Sequence, residues 1–313
     1  MVFTCRAHDN VSLALPPDTP PIPRAGTVRS ERYPHVKSIP RLTPWAAGLA
    51  AVALIAVPAA ASAGQQRTTA SQEAAAATSA DAYATSVDAY YAAAEGKTGA
   101  ALKTALHDII KTQSKVTYDG VWNALKVTDQ DPANPNNVIL VYSGRSQSKS
   151  TNGGDPDDWN REHVWAKSHG DFGTATGPGT DLHHLRPEDV TVNSTRGNKD
   201  FDMGGSPVSE APGSYTDADS FEPRDAVKGD VARMLLYMAV RYDGGDGFAD
   251  LEMNDRVNNG TAPLFGRISL LKQWNQQDPP DAFEQRRNQV IFDTYQHNRN
   301  PFIDHPEWAD SIW

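Results

Sequence analysis

The 313-residue sequence is poor in the features that define several common classes of protein. It has a single cysteine, Cys5, which excludes disulfide scaffolds and cysteine-ligated zinc sites. It contains no glycine-rich dinucleotide fingerprint, no P-loop and no internal repeat. Its net charge is −10, whereas a protein that binds polyanions usually has the opposite sign. A nucleic-acid ligand would therefore need a locally basic surface.

The N-terminal part of the chain carries the pattern of a secretory signal. Lys37 and Arg41 precede an apolar run at 45–57, which is followed by small residues at 61–63. A charged start, a short apolar core and a small-x-small ending indicate a signal peptide cleaved after Ala63. A membrane anchor is the alternative, but the run is short for a membrane span. Residues 1–35 have no place in such a signal, which indicates that translation starts downstream of them.

The remaining sequence is predicted to be a linker followed by one domain. Residues 64–81 are mostly alanine, serine, threonine and glutamine, a composition typical of disordered linkers. Residues 82–313 are predicted to form one mainly helical domain of the α+β class. Loss of residues 1–63, with six basic and three acidic side chains, would take the net charge from −10 to −13. We expect a secreted monomer with no membrane segment in its mature form.

Apolar periodicity predicts several helices and one buried strand. Asp225 is expected to cap the helix that begins beside it, and Gly96 and Gly99 are expected to divide the first helical region. The predicted helical regions are 82–113, 121–125, 225–242, 268–274 and 282–295, and the predicted strand is 138–142.

The densest group of reactive side chains lies between residues 159 and 201. Its three blocks are Trp-Asn-Arg-Glu-His-Val-Trp (159–165), Thr-Asp-Leu-His-His-Leu-Arg-Pro (180–187) and Val-Asn-Ser-Thr-Arg-Gly-Asn-Lys-Asp-Phe (192–201). Polar groups in this number are costly to bury without partners, so the pattern favours chemistry over a purely structural role. Trp159 and Trp165 flank a predicted strand and are expected to be core residues.

The residue types in these blocks suit metal-assisted hydrolysis of a phosphodiester. Glu162, Asn193 and Asn198 offer hard oxygen donors. One carboxylate with one carboxamide suits Mg²⁺, which keeps several waters and takes further ligands from phosphates, and Mn²⁺ and Ca²⁺ are substitutes for it. His163 could deprotonate an attacking water. Activity would then be lost below roughly pH 6, where an ordinary imidazole becomes protonated.

Glu162 and His163 are neighbours, which raises a geometric question. Adjacent residues of a regular strand point to opposite faces, yet both side chains are wanted at one site. The strand could end there, or a bulge could redirect one side chain. Alternatively, the scissile phosphate could lie across the strand edge, with the metal on one side and the base on the other. The sequence leaves these three arrangements open.

The ordered blocks Arg-Glu-His-Val-Trp (161–165), Asp-Leu-His-His-Leu-Arg-Pro (181–187) and Val-Asn-Ser-Thr-Arg-Gly-Asn (192–198) resemble the bacterial endonuclease I family. These are nucleases of the His-Me finger, or ββα-metal, superfamily. The similarity runs from about residue 90 to residue 305. It implies a mainly helical fold around a ββα-metal core, and a secreted, sequence-nonspecific endonuclease that acts on DNA, with RNA as a further substrate.

The resemblance also implies roles for individual residues. His163 becomes the general base at the end of the first strand, and Glu162 and Asn193 become ligands of one Mg²⁺. The second strand would hold residues 182–186. His183 and His184 would then point to opposite faces, with His183 supporting the site and His184 in a surface or packing role.

Several further polar residues have open roles. Asn198 is interpreted as a residue at a helix end or as one that supports the metal ligands, and Arg196 as a phosphate contact or a partner of Asp200. Some relatives stabilise the transition state with an arginine between the two strands, and this chain has none there. The unranked candidates for that role are Arg145, Lys167, Arg186 and Arg299.

Two other classes of function remain as alternatives. A zinc hydrolase would use the histidines, but His163 and His169 lack the HExxH spacing that places two ligands on one helical face. An inactive nucleic-acid-binding protein would have lost part of the site, whereas the set of Glu162, His163 and Asn193 is intact.

Overall fold

The computed structural model describes residue 82 and residues 84–313, which belong to one compact unit. The predicted leader and signal at 1–63 and the predicted linker at 64–81 lie outside the described residues. Within the part of the chain that is described, no helix is long and apolar enough to cross a membrane.

Helices and short strands alternate through this unit. The helices are α1 (residues 84–91), α2 (Gly99–Ile110), α3 (Tyr118–Thr128), α4 (Val190–Arg196), α5 (Lys228–Arg241), α6 (Ile268–Gln277), α7 (Ala282–Val290), α8 (Pro301–Asp304) and α9 (Trp308–Ile312). The strands are β1 (Asn137–Ile139), β2 (Ser146–Ser148), β3 (Trp159–His163), β4 (Leu185–Asp189), β5 (Asp200–Phe201), β6 (Ser206–Pro207), β7 (Tyr215–Thr216), β8 (Ser220–Glu222), β9 (Glu252–Met253) and β10 (Leu264–Phe265). Pro178–Thr180 and Asp225–Val227 are 3₁₀ turns, and Ile291–Tyr295 is a π-helical turn.

The predicted α+β class is confirmed, because small separate sheets lie among the helices. β1 pairs with β2 and β3 pairs with β4, both antiparallel. β9 and β10 form a short parallel pair, and a four-stranded sheet has the order β5-β8-β7-β6. The predicted core residues Trp159 and Trp165 are both fully buried.

Helix α5 lies at the centre of the fold, and all 14 of its residues are buried. It packs against α6, α2 and α8. The predicted cap at Asp225 is wrong, because that side chain accepts a hydrogen bond from Lys228 at 2.7 Å and makes no helix cap. A 3₁₀ turn occupies 225–227, and the α-helix begins only at Lys228.

The predicted strand at 138–142 is shorter than expected, because ladder pairing stops at Ile139. Beyond that point the chain turns towards β4. The amide of Val141 donates to the carbonyl of Pro187 at 3.0 Å, and the amides of Tyr142 and Ser143 donate to the Glu188 carboxylate.

β3, β4 and α4 form the unit that positions the polar blocks. The two strands pair in unbroken register from Trp159 opposite Asp189 to His163 opposite Leu185. Asp189 then caps α4, because its carboxylate accepts the amides of Thr191 and Val192 at 2.8 and 3.1 Å. The helix therefore starts directly at the end of β4 and packs against both strands.

The predicted second strand at 182–186 is wrong, since the strand runs from Leu185 to Asp189. Asp181 makes a turn instead. Its carbonyl accepts the amides of His184 and Leu185 at 3.3 and 3.2 Å, and its carboxylate accepts the amide of His183 at 3.0 Å. His183 and His184 thus lie before the strand, and they do not alternate across its faces.

Asp181 holds this turn against the helical core through buried hydrogen bonds. The side-chain donors to its carboxylate are the hydroxyls of Tyr237 and Tyr242 and the amides of Gln113 and Gln296. Burial by itself would raise the pKa of Asp181, but the neighbouring His183 and the bond from Gln296 outweigh it and lower the pKa to about 2.

Replacing Asp181 with asparagine is expected to lower the free energy of unfolding at pH 7 by roughly 2 kcal/mol. A carboxyl group whose folded pKa lies below its unfolded value stabilises the fold above about pH 4. That stability is lost as pH falls towards the folded pKa, so the difference between wild type and Asp181→Asn should shrink between pH 5 and 3. Urea unfolding at several pH values measures it. Asp157→Asn, at an exposed position, is the control, and a difference that does not change with pH would contradict the assignment.

Candidate active site

A cleft of about 510 Å³ opens where β3 meets α3 and α4. Four of the residues singled out in the sequence line it, namely Glu162, His163, Asn193 and Asn198. The structure therefore brings together the predicted base and both predicted metal ligands, which lie up to 31 positions apart in the sequence.

The two faces of β3 present side chains with different functional groups to this cleft. Because pairing with β4 is regular through His163, side chains alternate without a bulge. His163 shares its face with Trp159, which contacts Trp122 of α3 edge to face. Glu162 shares the other face with Asn160, whose carboxamide bonds to Asn193 of α4. Of the three arrangements left open by the sequence, the regular pairing excludes the bulge, and β3 ends at His163 with the two side chains on opposite faces.

His163 is fixed in orientation by the 3₁₀ turn at 178–180. Its Nε2 lies 3.1 Å from the carbonyl oxygen of Gly179. Because a carbonyl oxygen only accepts hydrogen bonds, Nε2 carries the proton and Nδ1 keeps its lone pair. Gly177, which precedes the turn, has φ of 125°, and a Cβ there would lie 2.3 Å from the ring of Phe248. The turn that orients His163 thus requires glycine at this position.

The surroundings of His163 keep its imidazole neutral. Burial lowers its pKa well below the ordinary value, and the neighbouring His184 adds to this effect. The hydrogen bond with Gly179 opposes the shift without cancelling it. A neutral imidazole with a free lone pair is the form that can accept a proton.

Glu162 is almost fully buried and is held from behind by two residues. Its Oε1 accepts hydrogen bonds from the Tyr142 hydroxyl at 2.6 Å and from Arg196 Nη1 at 2.9 Å. Burial raises the pKa of Glu162, and the charge of Arg196 opposes that shift. Among the described residues, no side chain donates a hydrogen bond to Oε2, and the backbone amide of His163 also lowers the pKa of the carboxyl group.

Asn193 presents a second oxygen from the first turns of α4. Its Nδ2 donates to Oδ1 of Asn160 at 2.7 Å, which fixes the orientation of the amide. Its own Oδ1 accepts no hydrogen bond from any described residue. Together, Glu162 and Asn193 offer one carboxylate and one carboxamide oxygen, a donor set that fits a hard, partly hydrated cation such as Mg²⁺.

His183 lies in a different environment from the one predicted, whereas His184 has the packing role that was one of its two predicted alternatives. His183 lies away from the cleft, its ring centroid 4.4 Å from that of Tyr237 and its Nε2 3.2 Å from the Asn298 carbonyl. His184 is fully buried, which excludes a surface role. Its ring centroid is 5.6 Å from that of His163, and its Nε2 donates to the Pro178 carbonyl at 2.7 Å. His184, rather than His183, therefore packs beside the candidate base.

Three of the predicted arginines do not line the cleft, because carboxylates elsewhere hold them. Arg186 pairs with Asp129 and Asp230, and Arg299 with Asp304. Arg145 pairs with Asp189.

Arg196 lies directly behind the site. Besides Glu162, it bonds the carbonyls of His163 and Val164 at 2.7 and 2.6 Å. It makes none of its hydrogen bonds to Asp200. Lys167 lines the cleft and is exposed.

Five cleft or supporting residues carry no role in the sequence-based prediction. They are Tyr118, Trp122, Tyr142, Asn160 and Arg161. Asn160 and Arg161 lie inside the first polar block and were a visible signal. The other three lie 17 or more positions before Trp159, and nothing in their local sequence marks them as neighbours of the site.

Two other arrangements of potential ligands do not support a second metal site. Asp243, Asp250 and Glu252 lie close enough to share a cation. The ammonium of Lys103 already lies 2.5 Å from Asp243 and 2.6 Å from Glu252. His169, required by the zinc alternative, uses both ring nitrogens on the carbonyls of Leu264 and Asn198. It has no nitrogen left for a metal.

Comparison with known proteins places this arrangement in a family. The family model described as Endonuclease I matches residues 98–307, which include all of the cleft residues named above. The chain belongs to the Endonuclease I family. The resemblance predicted from the three polar blocks is thereby confirmed, and this endonuclease I chain is an enzyme that hydrolyses nucleic acid.

Individual relatives are consistent with the family match. The chain is 68% identical over 223 residues to an extracellular ribonuclease of Bacillus amyloliquefaciens, covering 71% of this chain and 77% of that protein. It is 66% identical over 223 residues, with the same coverage, to an extracellular ribonuclease of Bacillus subtilis (strain 168). It is 30% identical over 129 residues to an extracellular deoxyribonuclease of Aeromonas hydrophila, covering 40% of this chain and 49% of that protein.

Proposed function

We propose that this chain is a secreted, metal-dependent endonuclease without sequence specificity, which cleaves both DNA and RNA. In this proposal His163 is the general base, and Glu162 and Asn193 hold one Mg²⁺. β3, β4 and α4 would be the ββα-metal core of a His-Me finger nuclease. The extracellular names of three relatives and the signal-like pattern ending at Ala63 support secretion.

One observation carries the proposal. A neutral imidazole with an available Nδ1 lies on one face of β3, while Glu162, on the other face, and Asn193, on α4, present oxygen atoms to the same cleft. A base alone or a cation site alone would suit many functions. The two side by side suit the attack of water on a bound phosphodiester.

Each residue of the site has a separate role in the proposed reaction. His163 Nδ1 accepts a proton from the attacking water, whose oxygen forms a bond to phosphorus as the bond to the leaving oxygen breaks. Gly179 holds the Nε2 proton, so the ring keeps the orientation that this transfer needs. Tyr142 and Arg196 hold Glu162 in place. When bound, a divalent cation would neutralise charge on the phosphate and on the leaving oxygen.

The proposed chemistry does not depend on the sugar. Since the nucleophile is water, the reaction has no need of a ribose 2′-hydroxyl, and both DNA and RNA can be substrates. The names of the relatives, two extracellular ribonucleases and one extracellular deoxyribonuclease, support this breadth. The sequence-based expectation named DNA as the main substrate. The two relatives at 66–68% identity are named ribonucleases, which supports RNA as a substrate at least as strongly.

We expect the purified enzyme to nick supercoiled plasmid DNA and to degrade a mixed-sequence RNA when Mg²⁺ is present. A chelator should stop both activities, and excess Mg²⁺ should restore both. A transcript with 2′-deoxy substitution at every position, cleaved at a similar rate, would show that the 2′-hydroxyl is not the nucleophile. Cleavage of RNA alone that survives the chelator would contradict the proposal, because it would indicate attack by the 2′-hydroxyl.

A further inference from the structure

Arg161 is a cleft residue to which no function has been assigned, and two aromatic rings hold it. Its guanidinium carbon lies 3.5 Å from the ring centroid of Tyr118 and 4.0 Å from that of Trp122. Its Nη1 donates to the main-chain carbonyl of Tyr118 at 2.6 Å. The two rings are four positions apart on α3 and therefore lie on one face of that helix. These two rings, called the aromatic seat below, contact the guanidinium and restrict its orientation before any ligand binds.

The charge of Arg161 has no acidic partner within ion-pair distance among the described residues. This separates it from Arg145, Arg186 and Arg299, each of which is paired with a carboxylate. Its Nε is buried without a hydrogen-bond partner. Burial lowers the pKa of Arg161 by more than the nearby Asp119 raises it, so part of the desolvation cost stays uncompensated, and an anionic ligand would relieve it.

Arg161 lies on the same side of β3 as the candidate base. Positions 161 and 163 are two residues apart on a regular strand, so both side chains leave the same face. A strand rises about 3.3 Å per residue, which puts the two positions about 6.6 Å apart along it. Both residues line the same cleft. From this position, the Arg161 guanidinium can reach the phosphate group that is attacked by the water molecule that His163 deprotonates.

We propose that Arg161, seated on Tyr118 and Trp122, is the phosphate-binding arginine of this active site. This rests on the proposed nuclease function, and its ligand is the phosphodiester backbone of DNA or RNA. The seat orients a guanidinium towards phosphate oxygens without the cost of ordering a free side chain. Among the described residues, Arg145, Arg186 and Arg299, which were first considered for this role, are held in ion pairs away from the cleft. Arg161 instead lines the cleft, has no ion-pair partner within that part of the chain and is held in one orientation.

In a purely structural role, Arg161 would only link β3 to α3. The chain offers a matched control, since Arg286 also donates to main-chain carbonyls of α3, those of Val127 and Thr128 at its other end. Arg286 does not line the cleft. Arg161→Ala and Arg286→Ala thus each remove one positive charge and one anchor of α3, but only the first removes a group that faces the cleft.

Two measurements test the proposal, and only one of them depends on cleavage. The first is kcat/KM with Mg²⁺, which should fall by roughly 10- to 100-fold in Arg161→Ala, the scale of a lost charge-assisted hydrogen bond. The second is the affinity for a 16-nucleotide DNA oligonucleotide in chelator, measured at several NaCl concentrations. Loss of one phosphate contact should lower the slope of log K against log salt by about 0.7.

Arg161→Lys should restore the slope, because the charge remains, but only part of the rate, because the planar fork is lost. Arg286→Ala should keep the wild-type slope and stay within about threefold of the wild-type rate. An unchanged slope in Arg161→Ala would overturn the proposal, even if its rate falls, and so would an equal loss in Arg286→Ala. Failure of the wild-type enzyme to cleave would instead refute the nuclease function, while the slopes would still report on Arg161.

Discussion

Replacing His163 with alanine is expected to lower kcat by about 10²–10⁴-fold, the usual contribution of a positioned general base. The reason is the state of the ring in the cleft. Nε2 is committed to the Gly179 carbonyl, and burial lowers the pKa of His163 well below its ordinary value. The enzyme thus holds a neutral proton acceptor, and alanine leaves none in its place.

Initial rates of cleavage of plasmid DNA, measured at saturating Mg²⁺, test this expectation. His297→Asn is a suitable control, because His297 is exposed and its φ of 61° is tolerated by asparagine. Its rate should equal that of wild type. If His163→Ala keeps more than about a tenth of the wild-type rate, the loss is smaller than removal of a general base causes. That result would contradict the role of His163.

The structure also changes the expected pH dependence. From the sequence, activity was expected to fall below roughly pH 6, as for an ordinary histidine. Since the pKa of the buried His163 is lowered, protonation of this base begins only at a more acidic pH. Loss of the base should therefore not limit the rate at pH 6.

Removing either candidate metal ligand is expected to raise the Mg²⁺ concentration needed for half-maximal cleavage by at least about tenfold. Asn193→Ala deletes a carboxamide oxygen on α4, and its amide partner, Asn160, remains near solvent. Glu162→Gln keeps the shape of the side chain but removes the negative charge that a divalent cation needs most. Titration of the initial rate with Mg²⁺ measures both effects.

The two ligand variants should differ in stability. Both side chains line a polar cleft, but they differ in burial. Glu162 is buried and neutralises the buried Arg196. Breaking such a pair is costly, so Glu162→Gln should lower the melting temperature, whereas Asn193→Ala should not.

Asn198→Ala is the matched control for the ligand variants. Asn198 is an exposed carboxamide in the same cleft, just beyond the end of α4. Its Mg²⁺ requirement should stay within about twofold of wild type, in line with surface substitutions that remove no ligand. A normal Mg²⁺ requirement in Asn193→Ala would remove Asn193 from the ligand set.

The sequence predicted those features whose causes are local. Helices α3 and α6 follow from apolar spacing, and a strand between Trp159 and Trp165 was expected, whereas its end at His163 was implied by the family resemblance. The start of the second strand was misplaced by three residues, because the turn at Asp181 depends on distant partners. Tyr237 and Tyr242, which hold it, are 56 and 61 positions away.

The role of the arginines could not be predicted from the sequence for the same reason. Arg186 resembled a phosphate ligand until its partner Asp129, 57 positions earlier, was placed against it. Arg161 lies in the first polar block, but its aromatic contacts could not be predicted, since they begin 43 positions upstream at Tyr118. Whether an arginine is free or paired depends on the tertiary fold, and the local sequence does not record it.

In the proposed site, β3 separates the base on one face from the metal ligands on the other. Calorimetric titration with Mg²⁺, in the presence of a short phosphorothioate oligonucleotide that resists cleavage, tests it directly. We expect His163→Ala to bind Mg²⁺ with an affinity close to that of wild type, and Asn193→Ala and Glu162→Gln to bind at least about tenfold more weakly. Loss of Mg²⁺ binding in His163→Ala would make His163 a metal ligand and would contradict this arrangement.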